Sequence, residues 1–309
     1  MEQDFCTLYE SLKPALTQLE TKRLELKARG TKNGSIGLGI CCLLGIVISL
    51  CTGMNWIWFL VSAIVGGIAF FYCIQSKGGE LTSLYKRNII SDILSRQCSG
   101  ATFEPDKGIT ENTFAGSGLF AVSPDRYHSE DLISGKIGST SFLCSEVHAE
   151  EKRVTTNGKG QTRTTWVDIF KGFFFIADFQ KDFKGQTTVY RNSWIKLRFG
   201  EQRVKLESPE FESSFDVYSN DQVEARYLLS PNMMERLLAL DRKFPGEITV
   251  SFRNSNVIIA IPDGTNHFEA SIWQSMLNNE NLKREFNTLC LLLGIVDDLN
   301  LNVRIWSKE

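Results

Sequence analysis

The sequence predicts an α+β protein: an N-terminal transmembrane helical hairpin, followed by a mainly antiparallel-β cytoplasmic domain with two helical regions. Three observations predict it. Asn33 to Ser76 is a run of 44 residues with no charge. From about residue 99 onward, strand-like segments alternate with Gly- and Asn-containing turns. Two later stretches, VEARYLLSPNMMERLLAL and the segment from Leu282 to Val296, place apolar residues at helical spacing. The expected organisation is an amphipathic cytoplasmic helix over 1–32, a two-helix hairpin over 33–76, a membrane-proximal helix over 77–98 and the α+β domain over 99–309.

The uncharged run is too long for one buried core helix. It divides at Thr52-Gly53-Met54-Asn55. Each half has about 19 residues, roughly 28 Å of helix, which matches a bilayer core. The expected spans are Ile36–Cys51 and Trp56–Ile74. Trp56 and Trp58 flank the turn, where interfacial aromatic residues gather. Gly66, Gly67, Ser62 and Ala63 are small enough to let two helices approach. Lys22, Arg23, Lys27, Arg29 and Lys32 precede the first span; Lys77, Lys86, Arg87 and Arg96 follow the second. By the positive-inside rule both ends of the hairpin lie in the cytoplasm.

Before the hairpin, Phe5, Leu8, Leu12, Ala15 and Leu19 form a heptad seam, and Pro14 argues for a break or kink. After it, Leu81, Leu84, Tyr85, Ile89, Ile93 and Leu94 form a second stripe. The two stripes suit pairing with each other or packing on the soluble domain.

Within that domain, 133–154 and 166–179 are expected to be long strands joined by a turn at Asn157-Gly158. Apolar residues at consecutive positions from Phe173 to Ala177 imply a strand buried on both faces. SWIKLRF and RVKLES flank a Gly200 turn, and 248–262 reads as a hairpin around Asn254-Ser255-Asn256. Asp221 and Glu224 fit a capping box, and Ser230-Pro231 fits an N-cap followed by proline at the first helical position.

Composition excludes some functions. With 34 Lys and Arg against 36 Asp and Glu, the chain has no global basic field for nucleic acid. The eight cysteines include no CxxC and suit reduced thiols better than a disulfide framework. GxSxG, HExxH and a Walker pattern are absent. Cys144 and His148 share a strand face but stand about 13 Å apart along it, beyond hydrogen-bond reach.

One segment carries candidate chemistry. In SEVHAEEK, Glu146, His148 and Glu150 alternate, so a strand places all three on one face. Two carboxylates and an imidazole suit a divalent metal such as zinc or iron. Same-face neighbours are about 6.6 Å apart at Cα. Glu146 with His148, or His148 with Glu150, reach one ion more easily than all three together. The other reading is a solvated face paired with Arg163 or Lys171, with Val147 and Ala149 pointing into the core. No other cofactor is indicated. Lys152, Arg153, Lys159 and Arg163 cluster on the same hairpin and suit contact with anionic headgroups, or an ordinary solvated loop.

SGLF (117–120), GKIG (135–138), SEVHAE (145–150), FKGFFFIADFQKDFKG (170–185), VYSNDQVEARYLLSP (217–231) and LGIVDDLNLNVRIW (293–306) resemble a bacterial family catalogued as domain of unknown function 3137. The resemblance runs from about residue 80 to the C-terminus, and a membrane hairpin is typical of members. It implies a multi-pass protein of the bacterial cytoplasmic membrane and implies no activity. Some members carry the label "galanin", which nothing in these residues connects with a peptide hormone. The expected function is a non-enzymatic interaction module whose partners are the lipid bilayer together with a protein partner or a second copy, and not nucleic acid. A membrane-tethered metal-dependent hydrolase using Glu146, His148 and Glu150, and a small-ligand sensor, are the alternatives.

Overall fold

The computed structural model of the chain describes residues 2–52, 56–156, 158, 160–179, 183–191, 201–244 and 247–301. It divides into two compact units: Met1–Ile93 with Phe268–Phe286, and Leu94–His267 with Asn287–Glu309.

In the first unit, helix α1 (Glu2–Cys51) is continuous through Pro14. The expected break does not occur. Proline removes one backbone hydrogen bond, but Leu12 and Leu16 on either side of it are fully buried and hold the helix in place. The buried stripe is Phe5, Leu8, Leu12, Leu16 and Leu19, so Leu16 takes the place expected of Ala15. Helix α2 (Ile57–Gln75) packs back along α1. Both helices are long and apolar enough to cross a membrane by length and composition. Small residues set their approach: a Cβ on Gly34 would lie 2.8 Å from the Phe70 ring, and one on Gly66 would lie 2.7 Å from Leu38. Gly67, by contrast, faces open space. Of the proposed turn, Gly53, Met54 and Asn55 lie outside the described residues.

Helix α3 (Gly78–Tyr85) continues through a π-helical turn, Lys86–Ile90, into α4 (Ser91–Gln97). Leu81, Tyr85, Ile89 and Ile93 are its buried stripe in this unit. Both stripes gain a partner from far along the chain. Arg23 donates to the Ile272 carbonyl at 2.8 Å, and the Met276 N–H donates to Glu20 at 2.8 Å. The Phe5 and Phe286 rings lie 5.7 Å apart. Thr82 donates to the Ala270 carbonyl at 3.2 Å, and Lys86 pairs with Glu269 at 2.9 Å. The Arg23 guanidinium holds the Glu20 carboxyl below its usual range, against the opposing effect of burial.

The second unit is built on a sheet. Among the described residues it has the order β1-β2-β3-β4-β9-β8-β5-β7-β6, and its pairings are antiparallel. The strands are β1 (Thr102–Glu104), β2 (Arg126–Ile137), β3 (Thr140–Thr156), β4 (Thr162–Asp178), β5 (Thr187–Arg191), β6 (Gln202–Val204), β7 (Phe215–Ser219), β8 (Thr249–Arg253) and β9 (Asn256–Pro262). The long strands expected over 133–154 and 166–179 are therefore present, the first divided between β2 and β3 by a turn at Gly138. Asn254 and Ser255 both take positive φ, as the two-residue turn between β8 and β9 requires. Asn157, SWIKLRF and Gly200 lie outside the described residues.

Among the described residues the unit also has the helices α5 (Glu111–Gly116), α6 (Pro209–Ser214), α7 (Gln222–Leu228) and α8 (Pro231–Asp241), with the end of α4 from Leu94 and the part of α9 (Asn279–Asp298) from Asn287 onward. Asp221 caps α7 by accepting from Val223 and Glu224 N–H groups at 2.9 Å, and Ser230 caps α8. The reciprocal half of the expected capping box is absent. Glu224 instead accepts from the Lys184 and Gly185 N–H groups, and Asp221 N–H donates to Ser219. One face of the sheet packs Val147, Ala149, Phe170, Phe174 and Ala260 against Phe114 and Leu119. On the other face, Thr140 donates to the Leu301 carbonyl at 3.0 Å.

Candidate functional site

The even-numbered residues of β3 share one face. Cys144 and Glu146 are buried near the middle of that face, and His148 and Glu150 are half-exposed further along it. Val147 and Ala149 point into the core, as expected.

The structure separates Glu146 from the other two predicted ligands. Its Oε2 accepts from the His267 backbone N–H at 3.1 Å. The His267 ring packs against Phe173, with centroids 4.9 Å apart and planes tilted by 45°, and its Nε2 lies 3.0 Å from Asp263 Oδ2 and 3.0 Å from Thr265 Oγ1. Asp263 N–H donates to the Lys171 carbonyl, so this loop is tied back onto β4. Burial pushes the Asp263 carboxyl up, but bonds from Thr265 and His267 outweigh it and hold the group below the usual carboxylate range. The expectation of a solvated Glu146 fails because the 263–267 loop covers it. Burial, with the Glu146 charge beside it, pushes the Cys144 thiol up and leaves it a poor nucleophile.

His148 and Glu150 gain Asp168 instead. Ligand atoms of the three lie within 4.8 Å of one another. His148 Nε2 and Asp168 Oδ1 are 2.8 Å apart. A β-bulge makes this possible. Ala149 pairs with Phe170, yet Glu150 pairs with Asp168, so Ile169 is the extra residue of β4. Regular alternation would put Asp168 on the core face with Phe170 and Phe174. The bulge turns Ile169 toward that core and returns Asp168 to the side of His148.

Two cations border the cluster. Arg126 lies 3.9 Å from Glu150 and stacks 3.4 Å from the centre of the Trp166 ring. Lys171 is directly across from His148 in the register. Arg163 is opposite Thr155, too far along the strand to pair with His148. On the other side, His128 is the cross-strand partner of His148.

Beyond the cluster the hairpin continues without a third strand among the described residues, with Lys152 N–H donating to Asp125 Oδ2 at 2.7 Å near its root. β2 pairs with β3 only as far as Glu150, and β9 meets β4 only from Gly172. Glu151–Thr156 and Thr162–Val167 therefore pair with each other as a two-stranded ribbon, among the described residues. Lys152, Arg153 and Arg163 are exposed on it; Arg153 pairs with Glu151. Lys159 lies outside the described residues.

The fold and cluster thus define a protein with two long apolar helices and an antiparallel sheet whose longest hairpin carries a mixed imidazole–carboxylate group. A family model described as "Protein of unknown function (DUF3137)" matches residues 168–301 of the chain. The matched span starts within β4, later than the resemblance read from the motifs. None of the curated proteins matches the chain. Among solved structures, the crystal structure of the mycobacterial trehalose monomycolate transport factor A, TtfA, is similar at 9% identity, covering 67% of this chain and 92% of that chain, with a TM-score of 0.35.

Proposed function

We propose that this chain is a two-span protein of the bacterial cytoplasmic membrane, with both ends of its hairpin in the cytoplasm and its sheet unit serving as a non-enzymatic interaction module. The observation that carries the anchor is exposed apolar surface. Leu43 and Leu50 on α1 are each 65% exposed, and Ile68 on α2 is 66% exposed. In water, surface on that scale would drive aggregation; in a bilayer it meets its natural solvent. The basic residues on both outer flanks give the orientation.

Membranes washed with alkaline carbonate test the anchor. The protein is expected to stay in the pellet, and release to the supernatant would refute it. For orientation, a membrane-impermeant maleimide applied to intact spheroplasts is expected to label Cys51 beside the turn and to spare Cys6. Labelling of Cys6 without permeabilisation would reverse the assignment.

Within this reading, the ribbon residues Lys152, Arg153, Lys159 and Arg163 meet anionic headgroups. Their support is the exposure of Lys152, Arg153 and Arg163 beyond the body of the sheet. Each basic residue near such a surface contributes about 1 kcal/mol. Acetylation of Lys152 and Lys159 in nanodiscs is expected to slow when anionic lipid replaces zwitterionic lipid. Equal rates would remove the lipid contact and leave a protein partner as the module's target.

A further inference from the structure

We propose that His148, Glu150 and Asp168, joined by His128, form a surface site for a divalent transition-metal ion of the zinc type. The first three already present ligand atoms within 4.8 Å of one another. Ligands around a tetrahedral zinc sit about 3.4 Å apart, given bonds of about 2.1 Å. The widest spacing in the cluster, at most 4.8 Å, therefore has to close by up to about 1.4 Å, and the 2.8 Å His148–Asp168 pair has to open by about 0.6 Å, changes that side-chain rotation supplies without moving the strands.

His128 is the fourth ligand. It is directly opposite His148 in the β2–β3 register. Across an antiparallel pair, Cα atoms are about 4.5–5.5 Å apart, so the two imidazoles reach a common ion. The His128 side chain is 73% exposed and its Nε2 is 3.6 Å from Glu130, an arrangement loose enough to exchange for a metal bond. The ion takes neutral His148 at Nε2 in place of the 2.8 Å contact to Asp168 Oδ1, with the ring proton on Nδ1. Asp168 and Glu150 then supply oxygen ligands.

Charge and chemistry select the ion. Arg126 lies 3.9 Å from Glu150 and Lys171 is opposite His148 in the register, so two cations offset much of the charge of Glu150, Asp168 and the nearby Glu130. A hard cation held by charge alone gains little there. Two imidazoles favour zinc, copper, nickel or iron over calcium and magnesium. Three adjacent strands fix the backbones that carry all four ligands, which limits the ordering a metal must impose. Glu146 is outside the set because His267 occupies it.

The test uses the full chain, without a histidine tag, in detergent or nanodiscs. Zinc is added to chelator-treated protein and binding is measured by titration calorimetry and by elemental analysis after desalting. About one equivalent is expected. His148→Ala and Asp168→Asn are expected to weaken binding at least about tenfold, His128→Ala likewise, and Glu146→Gln to leave it unchanged. In unmutated protein, zinc is expected to protect His148 and His128 from diethyl pyrocarbonate, mapped by peptide mass spectrometry. This second readout holds even if a variant misfolds. Absence of a stoichiometric site at micromolar zinc, full binding by His148→Ala, or unchanged modification of His148 and His128 would each overturn the proposal.

Discussion

The β3–β4 hairpin is supported in two different ways along its length. At its base, from Phe142 to Val147 and from Gly172 to Ala177, β4 lies between β3 and β9, and most side chains are buried on both faces. In the ribbon beyond Glu150, no third strand pairs with these two among the described residues, and side chains of Asp125 and Arg126 brace its root. Burial of apolar area, about 25 cal/mol per Å², holds the base. Cross-strand pairs of a few tenths to about 1 kcal/mol hold the ribbon. An isolated two-stranded hairpin is marginal in water, so the ribbon depends on how it is rooted. Its root is where the charged side chains gather: His148, Glu150 and Asp168 with Arg126 and Trp166. The change of support teaches why a chemical cluster sits there. It is the place where the backbone is still rigid but the side chains are already wet.

The comparison breaks most visibly at Gly172. This residue has φ +148° and lies where β9 approaches β4; a Cβ there would come within 2.2 Å of the Ile261 carbonyl oxygen. Gly172→Ala is expected to cost about 3 kcal/mol or more, from a backbone shift combined with strain. A melting temperature unchanged by the substitution would show that the base tolerates slack. Glu146→Ala comes next. It leaves the buried His267 N–H without its acceptor, at about 2 kcal/mol. Chemical denaturation of the two proteins measures it, and a loss below about 0.5 kcal/mol would mean that water replaces the carboxylate.

In the ribbon the numbers shrink. Trp166→Ala removes the face on which Arg126 stacks, for about 1 kcal/mol at this half-exposed position. Faster amide exchange is expected in 151–156 and 162–167 and not in the base; uniform acceleration would mean that ribbon and base open as one unit. Smallest is the acid response of the loop over Glu146. The Asp263 carboxyl is lowered in the folded state, so it adds stability above the ordinary aspartate value near about 4 and loses it as pH falls through the lowered value. The melting difference between the wild type and Asp263→Asn should be present at neutral pH and close as the pH drops toward 3. A difference independent of pH would assign the effect to loop geometry instead of charge.

Much of this was legible in the residues themselves. The uncharged run from Asn33 to Ser76 implied two long apolar helices, because no soluble core needs a stretch of that length. Alternation placed Val147 and Ala149 inward, and Ser230-Pro231 and Asp221 marked helix starts, because these signals act within a few residues of chain. Period-two spacing also put Glu146, His148 and Glu150 on one strand face. Contacts set by distant partners were not legible. Pro14 stays helical because burial of Leu12 and Leu16 outweighs one missing hydrogen bond. The segment from Phe268 to Phe286 joins the N-terminal helices although more than two hundred residues separate Arg23 from Ile272. Glu146 is buried because a loop 121 residues later folds over it. Asp168 enters the cluster only because a bulge at Ile169 reverses the alternation of β4. Local periodicity and composition determined the elements and their faces; register, bulges and loop closure are decided by the balance of long-range packing, which no single segment encodes.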